Sequence, residues 1–337
     1  MNASLENPIY TIYMVDGGTK YDLTPVLISL DFSEQEQQLA QSLTANLMNI
    51  LVGNQWLSSI IKVRQRIFVY ANDGEKEDEV FRGYIWTRGY KSSLEDREIA
   101  IKCYDNLIYF QESEESEFFS AGKSTSAVLS ELCTKWGVNL KYEYESITHA
   151  KLALRGILAD IMTSDVLDLV KDQTGKKYVI LSSKDEVQVK GYGQNSTIYK
   201  FMAGQNAIMT KSESTMSGMV TKVVILGQAD DEDTREPVEA TILGDTDKYG
   251  TIQKLIDRDE NTTLADAKKE AEGILKNDGE PKWEYELNAP DIPWLRKGDK
   301  VYVNAGDIYQ RYLYVYGVER TISAKGAKMT LTLRRAE

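Results

Sequence analysis

Histidine occurs once in these 337 residues and cysteine twice, and no run of residues is apolar over membrane length. Each shortage closes off a class of function. A single histidine, His149, has no imidazole partner, so the paired-histidine centres of zinc and iron enzymes are excluded. Cys103 and Cys133 lie far apart with no metal-ligand spacing. Cys103 alternates with apolar residues in an expected strand and Cys133 falls in an expected helix, so both read as small core residues. The N-terminal residues 1–8 lack the basic and apolar regions of a signal peptide, and no spanning helix is expected. Such a chain is expected to be made in the cytoplasm and to leave by lysis or by assembly into something larger. Positive charge is also short: 40 Lys and Arg face 52 Asp and Glu, a formal charge of −12. That balance argues against a broad basic face for nucleic-acid phosphates. It suits solubility, or a channel wall that must not hold nucleic acid.

Catalytic patterns are missing as well. There is no histidine–carboxylate pair at metal spacing, no Gly-x-Ser-x-Gly, no phosphate loop and no Cys–His pairing. Carboxylates are plentiful, in Asp230, Asp231, Glu232 and Asp233, and again in Asp257, Asp259 and Glu260. A glycosidase needs one of its pair buried so that its pKa rises, and interchangeable acids on polar loops do not suggest that. No catalytic, cofactor-binding or metal-binding residue is therefore assigned, and the chain is not expected to be an enzyme.

What is present is an ordinary globular composition, 42% apolar and 27% charged, sufficient for two or three cores. Residues 9–15, 26–32, 66–70, 80–86 and 98–104 are β-branched or aromatic runs, several of them alternating, and residues 39–46 extend the set. Asn72-Asp73-Gly74 marks a chain reversal between two of them. Near residue 110 the character changes. Glu112, Glu114, Glu115 and Glu117 read as a solvated linker face. A helix follows, with capping hydroxyls at residues 124–126, an apolar face of Val128, Leu129, Leu132 and Trp136, and a stop at Gly137. A second helix is expected from Ser164 to Gly175, and residues 177–181 and 186–190 read as a strand pair. The last third opens with a strand at residues 219–227. A helix capped by Thr263 and Asp266 follows, closed by Gly279 and Pro281. Strands then return at residues 283–287, 300–304, 312–318 and 329–333.

The first and last thirds echo each other. Arg-Ile-Phe-Val-Tyr-Ala-Asn-Asp at residues 66–73 parallels Lys-Val-Tyr-Val-Asn-Ala-Gly-Asp at residues 300–307. Each is followed by an aromatic-rich strand and then by an alternating one. Two copies of one β module around an α+β insert is the simplest account. Three chains with two copies each present six similar units, so such a ring can meet a sixfold partner on one side and a threefold partner on the other.

This order resembles the XkdQ/YqbQ-type baseplate hub proteins of PBSX-like contractile tails, within the phage late-control protein D family. The resemblance is carried by the helix at residues 262–275, the Leu-Arg-Lys-Gly-Asp-Lys-Val-Tyr-Val segment at 295–303 and the closing residues 328–333. It implies a mainly β, α+β chain: a tube-type β-barrel domain at 1–110, a middle α+β domain at 111–210, and a second barrel at 211–337 with one inserted helix. It also implies a homotrimeric structural hub adapting a hexameric tail tube to a trimeric spike, in a phage tail or a bacteriocin-like contractile injection system. Its partners are then the tail tube protein, the central spike and other baseplate proteins of wedge or LysM type. No sequence-specific nucleic-acid binding and no membrane insertion are expected. The location would be the host cytoplasm during assembly and then the particle. The chain ends just past its last expected strand, leaving no room for the lysozyme or peptidase domain that some hub relatives carry. The competing expectation is a cell-wall carbohydrate-binding module, with Tyr309, Tyr312, Tyr314 and Tyr316 as the sugar-stacking candidates.

Overall fold

The computed structural model describes residues 7–93, 97–228, 235–258 and 262–335, and they are mainly β. The acidic run Asp230–Asp233, with Asp259 and Glu260, lies outside the described residues.

The first β-rich part follows its alternation. In Ile9–Asp16 every second side chain is buried, and the same period recurs in Ser42–Met48, Arg66–Asn72 and Arg97–Tyr104. These strands join Glu77–Ser92 and Leu27–Glu34 in one antiparallel series. Its order runs from Ile9–Asp16 through Arg66–Asn72, Glu77–Ser92, Arg97–Tyr104 and Ser42–Met48 to Leu27–Glu34. The inward residues, among them Ile12, Leu43, Leu47, Ile67, Val69, Ile99, Ile101 and Cys103, form one core. Burying each large aliphatic side chain contributes about 1.5–3 kcal/mol. The Asn72-Asp73-Gly74 reversal forms as expected: Asn72 Oδ1 accepts from Gly74 N at 2.8 Å and Asp73 Oδ1 from Lys76 N at 2.8 Å.

The middle part has its own core around Val128, Leu132, Leu158, Ile161, Val166 and Val189. The helix Thr125–Lys135 starts at Ser124, whose Oγ accepts from Ala127 N at 3.2 Å. The second helix begins earlier than its sequence cue. Residues 158–174 are helical, with a π-helical stretch at Ile161–Leu167. The acidic run at 112–117 is not a linker. Glu114–Phe119 is a strand paired with Leu152–Ile157, and Lys135 Nζ lies 2.9 Å from Glu115 and 2.5 Å from Glu117. One cation neutralises two strand carboxylates, a long-range effect that the local charge count does not show.

Residues 212–284 form a compact unit of their own. Lys222–Leu226 is flanked by Val238–Leu243, antiparallel, and Gln253–Asp257, parallel. The helix Leu264–Asp278 contributes Ala267 and Ala271 to a small core with Val223 and Ile225. Thr263 caps that helix, its Oγ1 accepting from Asp266 N at 3.2 Å. The insertion in the last third is therefore a helix together with a three-stranded sheet.

The last β part, Tyr199–Met202, Lys300–Ala305, Ile308–Ser323 and Gly326–Arg335, with residues 285–290, encloses a further core. The first and last parts share a sheet: residues 318–323 pair antiparallel with residues 29–34 of Leu27–Glu34.

Candidate functional site

The tyrosines named for sugar stacking do not converge. Tyr309 and Tyr312 are 71% and 51% exposed, whereas Tyr316 is buried. Tyr314 and Tyr316 instead pack on Tyr192, with ring centroids 5.5 and 5.1 Å apart. His149 is buried, its Nε2 2.9 Å from Thr125 Oγ1, and burial lowers its pKa. Cys103 and Cys133 are free and buried, and burial pushes the Cys133 thiol up to about 12. Asp257 is exposed on its strand. Among the described residues no group of three His, Cys, Asp or Glu stands at metal-holding distance, and no helix is long and apolar enough to cross a membrane.

The polar groups that do converge lie on one turn. Residues 291–299 connect the strands before and after them and are buried between the first, middle and last parts. Asp291 accepts from Tyr10 Oη and, at 2.9 Å, from Arg320 Nε. Arg320 also donates to Ile292 O at 3.1 Å and to Leu295 O. Arg296 Nε donates to Glu34 Oε1 at 2.6 Å, and Lys297 N to Glu34 Oε2 at 3.1 Å. Lys297 Nζ donates to Gln35 O at 3.0 Å and Gln38 O at 2.8 Å. Asp299 accepts from Arg296 N at 2.9 Å and pairs with Lys190 at 3.3 Å. Trp294 Nε1 donates to Asp73 Oδ2 at 2.5 Å. Burial pushes Glu34 upward, but Arg296 and Lys297 outweigh it and hold the carboxyl below its usual range. Asp105 is buried nearby with weaker compensation. It accepts from Gln41 N and Leu107 N, and burial still raises it to about 7. A buried charge network of this kind contributes orientation more than net stability, because its desolvation offsets most of its attraction.

The same turn exists twice. In the last part Gly298 N donates to Val315 O and Val315 N to Asp299 O, both at 2.8 Å. In the first part Arg64 N donates to Ile85 O at 2.6 Å and Ile85 N to Gln65 O at 2.9 Å. Gln65 Oε1 accepts from Lys62 N at 2.7 Å, as Asp299 Oδ2 accepts from Arg296 N. Both Arg64 and Gly298 have positive φ, 68° and 88°.

The strands beyond the turns keep the same register. Tyr84 faces Tyr104 and Ile85 faces Cys103, then a bulge intervenes and Thr87 faces Lys102. Tyr314 faces Arg334 and Val315 faces Leu333, then a bulge intervenes and Gly317 faces Thr332. Both central strands, Glu77–Ser92 and Ile308–Ser323, run for 16 residues. The duplicated meander is thus present down to its bulge, where Trp86 and Tyr316 occupy equivalent places. Each bulge aromatic holds a tyrosine of another segment: Trp86 lies 5.6 Å from Tyr109, and Tyr316 5.1 Å from Tyr192.

A family model described as YQBQ-like matches residues 31–334. The chain is 21% identical over 265 residues to the phage-like element PBSX protein XkdQ of Bacillus subtilis, covering 77% of this chain and 78% of that one. It superposes on a tail protein from Neisseria meningitidis MC58 with a TM-score of 0.73 at 14% identity, over 97% and 96% of the two chains. The 43 kDa tail protein of prophage MuSo2 from Shewanella oneidensis gives a TM-score of 0.69 at 13% identity, over 97% and 98%.

Proposed function

Because the chain belongs to the YQBQ-like family and shares its fold with phage tail proteins, we propose that it is the structural hub of a tail baseplate. In this reading three copies form a pseudo-sixfold ring that joins a hexameric tail tube to a trimeric spike. The observation that carries it is the repeated meander, with one register, one bulge and one turn at residues 61–104 and again at 295–335. The first and last cores are then the interiors of two tube-type barrels. The middle core is the α+β domain between them, and residues 212–284 are an insertion in the second barrel. Two near-copies per chain and three chains give six similar faces toward the tube and a true threefold axis toward the spike.

The mechanism in this reading is mechanical. The buried turn at residues 291–299 ties the three parts of the chain together, so that a push on one barrel moves the other. No group on the molecule is asked to break a bond. Assembly takes place in the host cytoplasm and the product resides in the particle, beside tube, spike and other baseplate proteins. Co-sedimentation with the cognate tail tube tests the reading: the protein is expected to pellet with tubes in a ratio of one trimer per tube end. Recovery in the supernatant at every concentration would rule it out.

A further inference from the structure

The two meanders agree in register but differ in what lies beside them. In the last part, residues 318–323 have Gly326–Arg335 on one side and residues 29–34 on the other. The equivalent stretch of the first part is residues 88–92. Arg97–Tyr104 lines one side of it, while Arg66–Asn72 reaches along the other side no further than Tyr84. These residues are exposed, Tyr90 by 49%. The adjoining turns differ in the same way. Arg296 and Lys297 are covered by Glu34 and by the carbonyls of Gln35 and Gln38, whereas Lys62, Val63 and Arg64 are exposed, Val63 by 61%. A strand edge with apolar and cationic neighbours is a template for pairing.

We propose that the 88–92 edge receives a strand from a second copy of this chain, and that this strand is Met209–Thr215. The inference rests on the ring reading and names the surface that closes the ring. Met209–Thr215 stands at the end of the strand order, followed by Lys282–Pro290 and Gly326–Arg335. Leu27–Glu34 is followed in the same way by Ser42–Met48 and Arg97–Tyr104. The two strands therefore hold matching places in their modules, and Ile208 and Met209 are exposed.

Each copy offers one strand and one edge, a head-to-tail contact that closes when the rotation is right.

Amide hydrogen exchange of the full chain, followed with its sedimentation mass from the dissociated to the assembled state, tests the proposal. Exchange at residues 88–92 and 209–215 should slow about tenfold or more on assembly, the effect of gaining backbone hydrogen bonds. Residues 318–323, already paired on both sides, should change little. A trimer whose 88–92 amides exchange as fast as in the monomer would overturn this edge assignment and leave the ring intact. A chain that stays monomeric at every concentration, with tube and spike proteins present, would remove the ring and this inference together.

Discussion

Gly298→Ala is expected to be among the most damaging single-methyl additions in this protein, although the equivalent position of the first meander already carries an arginine. Gly298 has φ +88°, and a Cβ there would stand 2.5 Å from Val179 Cγ1. The left-handed backbone costs an L-residue about 1–2 kcal/mol, and forcing a side chain into packed surroundings costs about 1–3 kcal/mol. The two together predict a loss of about 2–5 kcal/mol, a fall of roughly 3–7 °C in melting temperature at this size. At Arg64 the backbone strain is present, at φ 68°, but the side chain is exposed. Arg64→Gly relieves the strain while loosening the unfolded chain, so the two effects nearly cancel and the change stays within about 1 kcal/mol. Urea unfolding followed by tryptophan fluorescence, with m unchanged, gives both numbers. A Gly298→Ala chain within about 0.5 kcal/mol of wild type would refute the packing argument. Loss of more than about 1 kcal/mol in Arg64→Gly would refute the equivalence of the two turns.

Further outcomes follow from the junction. Glu34→Ala leaves Arg296 without its carboxylate and removes the acceptor of Lys297 N, and should destabilise by about 3–5 kcal/mol in equilibrium unfolding; a loss under 1 kcal/mol would show the pair to be incidental. Asp105 titrates near 7 in the folded chain, above its ordinary value, so the native state binds this proton more tightly than the unfolded one. Its stabilising effect is full at pH below about 4 and is lost as pH rises through about 7, by at most on the order of 4 kcal/mol. Asp105→Asn should therefore flatten the decline of stability between pH 5 and 8, and equal slopes for the two chains would refute this. Tyr192 and Tyr316 should show a coupling of about 0.5–1.5 kcal/mol in a double-mutant cycle with leucine, and zero coupling would reduce the ring contact to coincidence.

The strands of both meanders are legible locally because alternation and turn residues act over a few positions: residues 66–70 and 300–304 announce themselves, and so does the reversal at Asn72-Asp73-Gly74. The helix caps at Ser124 and Thr263 are equally local and equally legible. What escaped is long-range. Glu115 and Glu117 look like a solvated acidic run until Lys135, on a later helix, is brought against them. Short strands such as Tyr199–Met202 and Gln253–Asp257 exist through their partners and carry weak patterns of their own. The junction was half visible. The Leu-Arg-Lys-Gly-Asp segment stood out as a family mark, but nothing local says that Glu34 receives its two cations. Tyr312, Tyr314 and Tyr316 alternate in sequence, as one strand face would, but the bulge between Val315 and Gly317 breaks that alternation and Tyr316 is buried.

Electron microscopy of the purified protein, with its mass measured across a concentration series, tests the central claim most directly. The account predicts a trimer with a central opening and a six-lobed outline, three lobes from each of the two modules. A particle of monomer mass with no ring, unchanged when tail tube and spike proteins are added, would contradict it.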